Sequence, residues 1–336
     1  MENKDRTEKI DFVIAWVDGN DPAWQDEKEK YSDSGQKGDK RDVRFRDWDN
    51  LQYWFRTVET FAPWVNKIHF VTWGHVPEWL NMEHPKLNIV KHTDYIPEKY
   101  LPTFNSHTIE LNLHRIEGLA EQFVYFNDDM FLTAPVTPRD FFRKGLPCDT
   151  FAMNAIYFGK DSVGCINGNN VAIINEHFSK KRMLLANWYK WYNPVNRMRN
   201  LFRTTLLLPW PWFPGFLYSH TVTNLLKSTM ETVWEKEYDE LDKTCSDRFR
   251  QKTNVNQWLF KFWQLASGKF VPVTPKDKKC YHVKDTVDGV CNSITQEKFK
   301  IICINDTGKT VDFETLAAKV RDCFEQKFKE KSSFEK

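Results

Sequence analysis

The sequence predicts an α/β fold of Rossmann-like type: a mainly parallel sheet flanked by helices, with a helical, aromatic-rich basic insertion. Three observations predict it. Short apolar, β-branched runs recur through the first half of the chain, as in strands buried on both faces. Segments with apolar residues at helical spacing separate them, the alternation of a parallel sheet with crossover helices. The stretch from His177 to Met230 holds eight Lys or Arg, no Asp or Glu, and a crowd of aromatics.

In chain order, residues 11–17 read as a buried strand that ends in the turn Asp18-Gly19-Asn20-Asp21-Pro22. Residues 27–46 are polar and mixed in charge, which predicts a mobile surface loop. Residues 49–61 carry Leu51, Trp54, Phe55 and Val58 at helical spacing, with Asp47 or Asp49 placed to cap the start. Strands are expected at 67–72 and 87–90. A helix is expected over 105–119, with Ile109, Leu113 and Ile116 on one face and His107, Glu110, His114 and Arg115 on or beside another. Residues 122–126 form the next strand, running into Asn127-Asp128-Asp129. Further on, 220–238 and 256–265 read as helices, and 299–304 as a strand ending at Asn305-Asp306. The tail beyond Phe313 reads as an amphipathic helix with a charged, frayed end.

A chain of 336 residues suffices for one large α/β domain with insertions or for two modest domains sharing a cleft. With 14 Trp and a negative mean hydropathy, it has the composition of a compact fold built on large side chains. The segment MENKDRTEKI is charged and lacks an apolar core, and no apolar run is long enough to span a bilayer. The expectation is therefore a protein that meets its substrates in the cytoplasm. Seven Cys without a CxxC pair indicate neither a disulfide framework nor a zinc site. Cys165 and Cys303 read as small core residues. The net charge is only +2, so everything outside the basic stretch carries an excess of carboxylates.

A carboxylate follows an apolar strand three times: Asp18 with Asp21, Asp128 with Asp129, and Asp306, beside Asn305. Open α/β sheets bind ligands beyond the carboxyl ends of their strands. Carboxylates there suit a divalent cation that neutralises a nucleotide diphosphate, and hard oxygen ligands favour Mg2+ or Mn2+. Taken singly, each Asp reads more simply as turn or capping chemistry. Adjacent like charges at Asp128-Asp129, however, call for a cation. A second set, Arg44, Arg46, Asn105, His107, His114, Arg115, His220, Arg248 and Arg250, supplies phosphate-binding and proton-transfer chemistry. By segment, 1–158 reads as the nucleotide-binding core, 159–217 as the basic aromatic insertion, 218–313 as a part completing the site, and 314–336 as a helical tail.

Four runs carry a family resemblance: Ile14-Ala15-Trp16-Val17-Asp18-Gly19-Asn20-Asp21-Pro22, Arg44-Phe45-Arg46-Asp47, Leu101-Pro102-Thr103-Phe104-Asn105-Ser106-His107, and Tyr125-Phe126-Asn127-Asp128-Asp129. They resemble the first two conserved regions of the Stealth family, hexose-1-phosphate transferases of capsule, exopolysaccharide and receptor-polysaccharide synthesis related to the animal N-acetylglucosamine-1-phosphotransferase. More loosely, Ser219-His220-Thr221 with Arg248-Phe249-Arg250 resembles the third region, and Ile302-Cys303-Ile304-Asn305-Asp306 the fourth. In the fourth, Thr307 stands where many relatives carry an acidic or amide residue. The resemblance implies a GT-A-like core and transfer of a sugar 1-phosphate from a UDP-sugar, UDP-GlcNAc or another UDP-hexose, with release of UMP. The acceptor would be a hydroxyl of a polysaccharide or lipid-linked oligosaccharide. It implies catalytic roles for Asp18, Asp129, His220 and Arg250, with Arg248 a near substitute for Arg250. Substrate contacts fall to Arg44, Arg46, Asn105, Ser106, His107, His114, Arg115 and Arg248. Metal contacts fall to Asp128, Asp129, Asn305 and Asp306.

Two other functions stay open at this point. A metal-dependent glycosyltransferase would use the same core but release UDP, and a non-catalytic glycan- or polyanion-binding module would release no nucleotide. Nucleic acid is not an expected partner. The basic aromatic insertion suits either peripheral contact with the inner face of an anionic membrane or a subdomain that covers the core.

Overall fold

A computed structural model of the chain describes residues 9–32, 48–159, 163–306, 308, 310 and 312–336. Strand β1 (Ile10–Ala15) is buried along nearly its whole length, as its apolar sequence dictates. Helix α1 (Pro22–Ser32) follows, begun by Pro22 and by Asp21, whose Oδ1 accepts the Trp24 N–H at 3.0 Å. Residues 27–32, expected in a loop, are thus helical. Lys and Glu are good helix formers, and buried Trp24 anchors the first turn. The rest of that expected loop, with Arg44 and Arg46, lies outside the described residues, as does the cap candidate Asp47.

Helix α2 (Leu51–Phe61) buries Leu51, Trp54, Phe55 and Val58 as their spacing requires, but Asn50 is its N-cap, without a side-chain bond. Strands β2 (Ile68–Thr72) and β3 (Leu87–Lys91) precede helix α3 (His92–Tyr95) and helix α4 (Ser106–Leu111). The helix expected over 105–119 stops at Asn112, whose Nδ2 donates to the Thr108 carbonyl at 2.9 Å and to Cys245 Sγ at 3.4 Å. An Asn side chain that takes a backbone carbonyl competes with helix continuation.

The chain continues through β4 (Gln122–Asn127), β5 (Met130–Leu132), α5 (Pro138–Phe141), β6 (Phe142–Arg143) and β7 (Leu146–Asp149). Helix α6 (Gly164–His177) ends where the basic segment begins, and that segment contributes α7 (Lys180–Trp191) and α8 (Met198–Leu206). Residues 220–238, expected as one helix, open instead with β8 (Thr223–Leu226), buried at all four positions, before α9 (Lys227–Lys236). Helices α10 (Tyr238–Ser246) and α11 (Trp258–Ser267) follow. The chain then forms β9 (Val271–Pro272), β10 (Lys278–Val283), α12 (Asp288–Gln296), β11 (Ile301–Asp306) and α13 (Phe313–Lys327).

The main sheet has the order β3-β2-β1-β4-β8. Its first four strands are parallel and β8 closes the edge antiparallel to β4. This is the predicted Rossmann-like, mainly parallel arrangement. A second sheet, β10-β11-β5, and a small third one, β6-β7-β9, accompany it. Alternate residues of β1 serve two cores, as the two-residue period of a strand demands. Phe12 and Ile14 pack with Trp54, Phe126 and α13, while Val13 packs with Phe123, Tyr125 and α11. No helix among the described residues is long and apolar enough to cross a membrane.

The expected fraying of the C-terminus is not found. Phe334 is buried, the Lys336 N–H donates to the Trp79 carbonyl at 2.8 Å, and Glu335 binds Arg56 through Nε at 2.9 Å and Nη2 at 2.8 Å. A charged tail docks here because an enclosed Arg on α2 supplies the bidentate partner. Arg56 also donates to the Phe328 carbonyl. Removing it strands a buried carboxylate and a carbonyl together. Arg56→Ala is therefore expected to cost about 3 kcal/mol in urea unfolding, whereas Lys243→Ala, which breaks the exposed Lys243–Glu240 pair, should cost under about 1 kcal/mol.

Candidate functional site

The strand ends converge because the two larger sheets meet at a turn. Asp128 and Asp129 are the two turn residues between β4 of the main sheet and β5 of the second. β11 lies antiparallel to β5 with Cys303 opposite Met130, and the Ile304 N–H donates to the Asp129 carbonyl at 2.8 Å. That pairing fixes Cys303 beside the Asp129 side chain. On the other side, β8 pairs with β4 so that Thr223 faces Tyr125. Continuing this register three residues backwards brings His220 opposite Asp128. Asp129, His220 and Cys303 come from segments remote in sequence, yet each offers a donor atom within 4.8 Å of the others.

These groups line a cleft of about 1460 Å³ whose walls also include Ser106, His107, Glu110, Asp128, Arg250, Lys278, Asn305 and Asp306. The space exceeds the roughly 300–1,000 Å³ of an ordinary small-molecule pocket.

Within it, His220 Nε2 lies 3.2 Å from Asp129 Oδ2, and the Cys303 thiol donates to the same oxygen at 3.2 Å. Burial alone would push the His220 imidazole down, but the charge and hydrogen bond of Asp129 outweigh it and raise it to about 9. Burial pushes Asp129 the other way from its partners, yet His220 and Cys303 hold its carboxyl below the usual carboxylate range. Asp129 Oδ1 is buried with no hydrogen-bond partner among the described residues. An orphaned anionic oxygen is costly, so the position fits a hard cation. Asp306 Oδ1 accepts from the Gly308 N–H at 2.8 Å and the Thr310 hydroxyl at 2.6 Å. Asn305 Nδ2 lies 3.1 Å from His282 Nδ1.

The opposite wall is built by α4 and the loop after α10. Phe249 stacks on Phe104 with ring centroids 5.4 Å apart, and the Phe104 N–H donates to the Arg248 carbonyl at 2.9 Å. This pairing carries Arg250 to α4, where its Nη2 donates to Ser106 Oγ. One turn further along, Glu110 faces the same space. Burial drives its carboxyl up to about 7, partly offset by the nearby Arg250 charge.

Of the other residues singled out in the sequence, Asp18, Asn105, His114, Arg115 and Arg248 do not line the cleft. The Asp18 N–H donates to His75 Nε2 at 2.7 Å and its Oδ1 accepts from the Asn20 N–H at 2.8 Å. Asn105 caps α4, accepting from the His107 N–H at 3.1 Å while its Nδ2 reaches the Asp247 carbonyl and Asn254. His114 packs on Trp234, and burial pushes it down to about 3. Arg115 lies over the same Trp ring, 4.9 Å from its centroid. Arg248 covers Tyr31 and donates to the Pro102 carbonyl, so of the two arginines only Arg250 reaches the cleft. Arg44 and Arg46 fall outside the described residues.

Residues 8–36 match the family model described as Stealth protein CR1, conserved region 1, and residues 44–148 match Stealth protein CR2, conserved region 2. The capsular polysaccharide phosphotransferase WcwK of Streptococcus pneumoniae is 43% identical over 332 residues, covering 98% of both chains. The chain belongs to the Stealth family. It is accordingly a phosphotransferase. The receptor polysaccharide phosphotransferase WefC of Streptococcus gordonii is 42% identical over 98% of this chain and 99% of its own. The exopolysaccharide phosphotransferase cps2G of Lactiplantibacillus plantarum is 40% identical over 97% and 96%. Among solved structures, the galactosyltransferase LgtC with donor and acceptor sugar analogues aligns over 94% of this chain and 95% of its own, at 9% identity and a TM-score of 0.42.

Several cleft residues of this Stealth-family enzyme were not singled out from its sequence. Glu110 carried a signal, since a carboxylate on a helix next to His107 stood out only as one polar residue among four. Lys278 and His282 share one face of β10, with Cys280 between them, and no strand was expected there. Lys278 is also held down to about 8 by burial. Cys303, expected as a core residue, is buried in the core and also points its thiol at Asp129.

Proposed function

We propose that this enzyme transfers a sugar 1-phosphate from a UDP-sugar, UDP-GlcNAc or another UDP-hexose, to a hydroxyl of a polysaccharide or lipid-linked oligosaccharide, releasing UMP. The observation that carries this reading is the single cleft in which the Asp129–His220 pair faces the wall formed by Arg250 and Glu110. Its near full-length likeness to phosphotransferases of capsular, receptor and exopolysaccharides supports the acceptor class.

The reaction needs the acceptor oxygen in line with the phosphorus next to the sugar, and a group to take its proton. Arg250 and His220, held by Ser106 and Asp129, are suited to the equatorial phosphoryl oxygens, and Lys278 adds a third cation to the cleft. Glu110 is suited to receive the acceptor proton: it is enclosed, faces the cleft and titrates near neutrality. The base then stands on the wall opposite Asp129 and His220, which with Asp18 are the residues that the family resemblance makes catalytic. Asp128, Asp129, Asn305 and Asp306 would hold Mg2+ or Mn2+, which when bound neutralises the diphosphate. No covalent enzyme intermediate is required.

A UDP-sugar labelled with 32P at the phosphate next to the sugar tests the proposal. The label should enter the acceptor polymer. Label left entirely in UDP would mean that only the sugar moves and would sink the reading.

Glu110→Gln gives a separate check. kcat should fall by about 10²-fold, and the rise of activity with pH near 7 should disappear. Stability should move in the opposite sense. The folded-state value of about 7 lies above the ordinary 4.5, so burial of this group costs nothing at low pH, and the cost grows as pH rises between the two values. Glu110→Gln should therefore be more stable than the parent at pH 8 by up to about 3 kcal/mol and show little difference at pH 4. An unchanged pH profile would remove Glu110 from the proton path.

A further inference from the structure

The segment with no carboxylate has two sides. Trp191, Phe213 and Phe216 are fully buried, with Trp191 stacked on Phe151 at 4.3 Å. Other large apolar side chains of the same stretch face outward: Leu185 71% exposed, Trp188 62%, Phe202 65%, Leu206 57%, Trp210 56% and Trp212 59%. Phe202 and Leu206 share one face of α8, and Leu185 and Trp188 are exposed on either side of a kink in α7 at Asn187.

These pieces are tied together. Lys180 at the start of α7 donates to the Leu207 and Leu208 carbonyls at 3.0 Å and to that of Trp210, and Tyr192 Oη lies 3.2 Å from Thr205 Oγ1. The outward aromatics therefore stand on an anchored base, and exposed Lys181, Arg182, Arg197 and Arg199 lie among them.

We propose that this surface docks on an anionic lipid bilayer, with its aromatic and aliphatic side chains in the headgroup and upper acyl region and its cations on lipid phosphates. Charge decides among occupants. The exposed cations of this face are Lys181, Arg182, Arg197 and Arg199, and the segment from His177 to Met230 contributes no carboxylate, so two copies meeting through this face would oppose like charges. An anionic membrane surface complements it, and Trp between Lys and Arg is the composition of an interfacial binding face. Docking here would hold the enzyme at the surface where a lipid-linked acceptor is presented. The docking itself does not depend on which donor is used.

Vesicle flotation of the full chain tests this without any substrate, so failure here and failure of the sugar-phosphate reading are distinguishable. The protein should float with phosphatidylglycerol-containing vesicles, float about tenfold less with phosphatidylcholine alone, and be released by salt. Trp210→Ser with Trp212→Ser should weaken binding by about tenfold or more, and Lys181→Glu with Arg199→Glu should do the same, with circular dichroism unchanged. No flotation with anionic vesicles at low salt would overturn the proposal, as would flotation that both double substitutions leave intact. Concentration-dependent self-association lost in the same variants would reassign the face to contact between copies.

Discussion

Asp129→Asn is expected to lower kcat by about a thousandfold, roughly 4 kcal/mol of transition-state stabilisation, with near-native circular dichroism. Asp129 does three things at one point. Its Oδ2 orients His220 and accepts the Cys303 thiol, while its Oδ1 stands buried and unpartnered among the described residues. An amide keeps the shape but not the charge. It can still accept one hydrogen bond, yet it no longer holds His220 as an imidazolium and is a poor ligand for a hard cation. The backbone should be indifferent, because the Ile304 N–H binds the Asp129 carbonyl rather than its side chain. Steady-state rates with the acceptor polymer, alongside a thermal melt, check both halves. Activity within about threefold of the parent would remove Asp129 from the catalytic centre.

Arg250→Ala is expected to cost about 10² to 10³ in kcat, with Arg250→Lys recovering only part of it, because a guanidinium fork presents two parallel donors to phosphate oxygens and an ammonium does not. This substitution has a second readout. Arg250 partly offsets the burial that raises Glu110, so its removal should shift the acid limb of the pH–rate profile to higher pH. A merely structural role would lower activity without moving that limb. Arg248→Ala is the matched control. Arg248 binds Tyr31 and the Pro102 carbonyl outside the cleft, and its loss should affect stability more than the pH profile.

Much of this was legible in the sequence because the main sheet announces itself. Strands as apolar as β1 and β4 have few alternatives in a chain of this size, and an Asp that follows such a strand emerges at the ligand-binding edge. Asp128, Asp129 and Asp306 stand out in the sequence on this ground and line the cleft, whereas Asp18, which follows β1 and stands out for the same reason, does not line it. The second sheet was not legible in full. β5 has only three residues, and Lys278–Val283 mixes polar and apolar positions without a clear period. Without β10 there was no way to see that Lys278 and His282 join the cleft.

Residues two apart also misled. Arg248 and Arg250 look interchangeable as text, but the stacking of Phe249 on Phe104 turns them toward different neighbours. His114 and Arg115 are expected to contact substrate for their phosphate-binding and proton-transfer chemistry, and the helix expected over 105–119 carries them past Asn112. The side chain of Asn112 ends that helix early and leaves both packed on Trp234. The basic aromatic segment resisted assignment because composition does not distinguish an inward Trp191 from an outward Trp188, three residues away. Only packing separates the two.

The most direct test of the central claim is the identity of the released nucleotide. Incubated with a UDP-sugar and the acceptor glycan, the enzyme should release UMP in proportion to sugar phosphate incorporated, since the bond broken lies between the two phosphates. Stoichiometric release of UDP would place the broken bond between sugar and phosphate, and contradict the account.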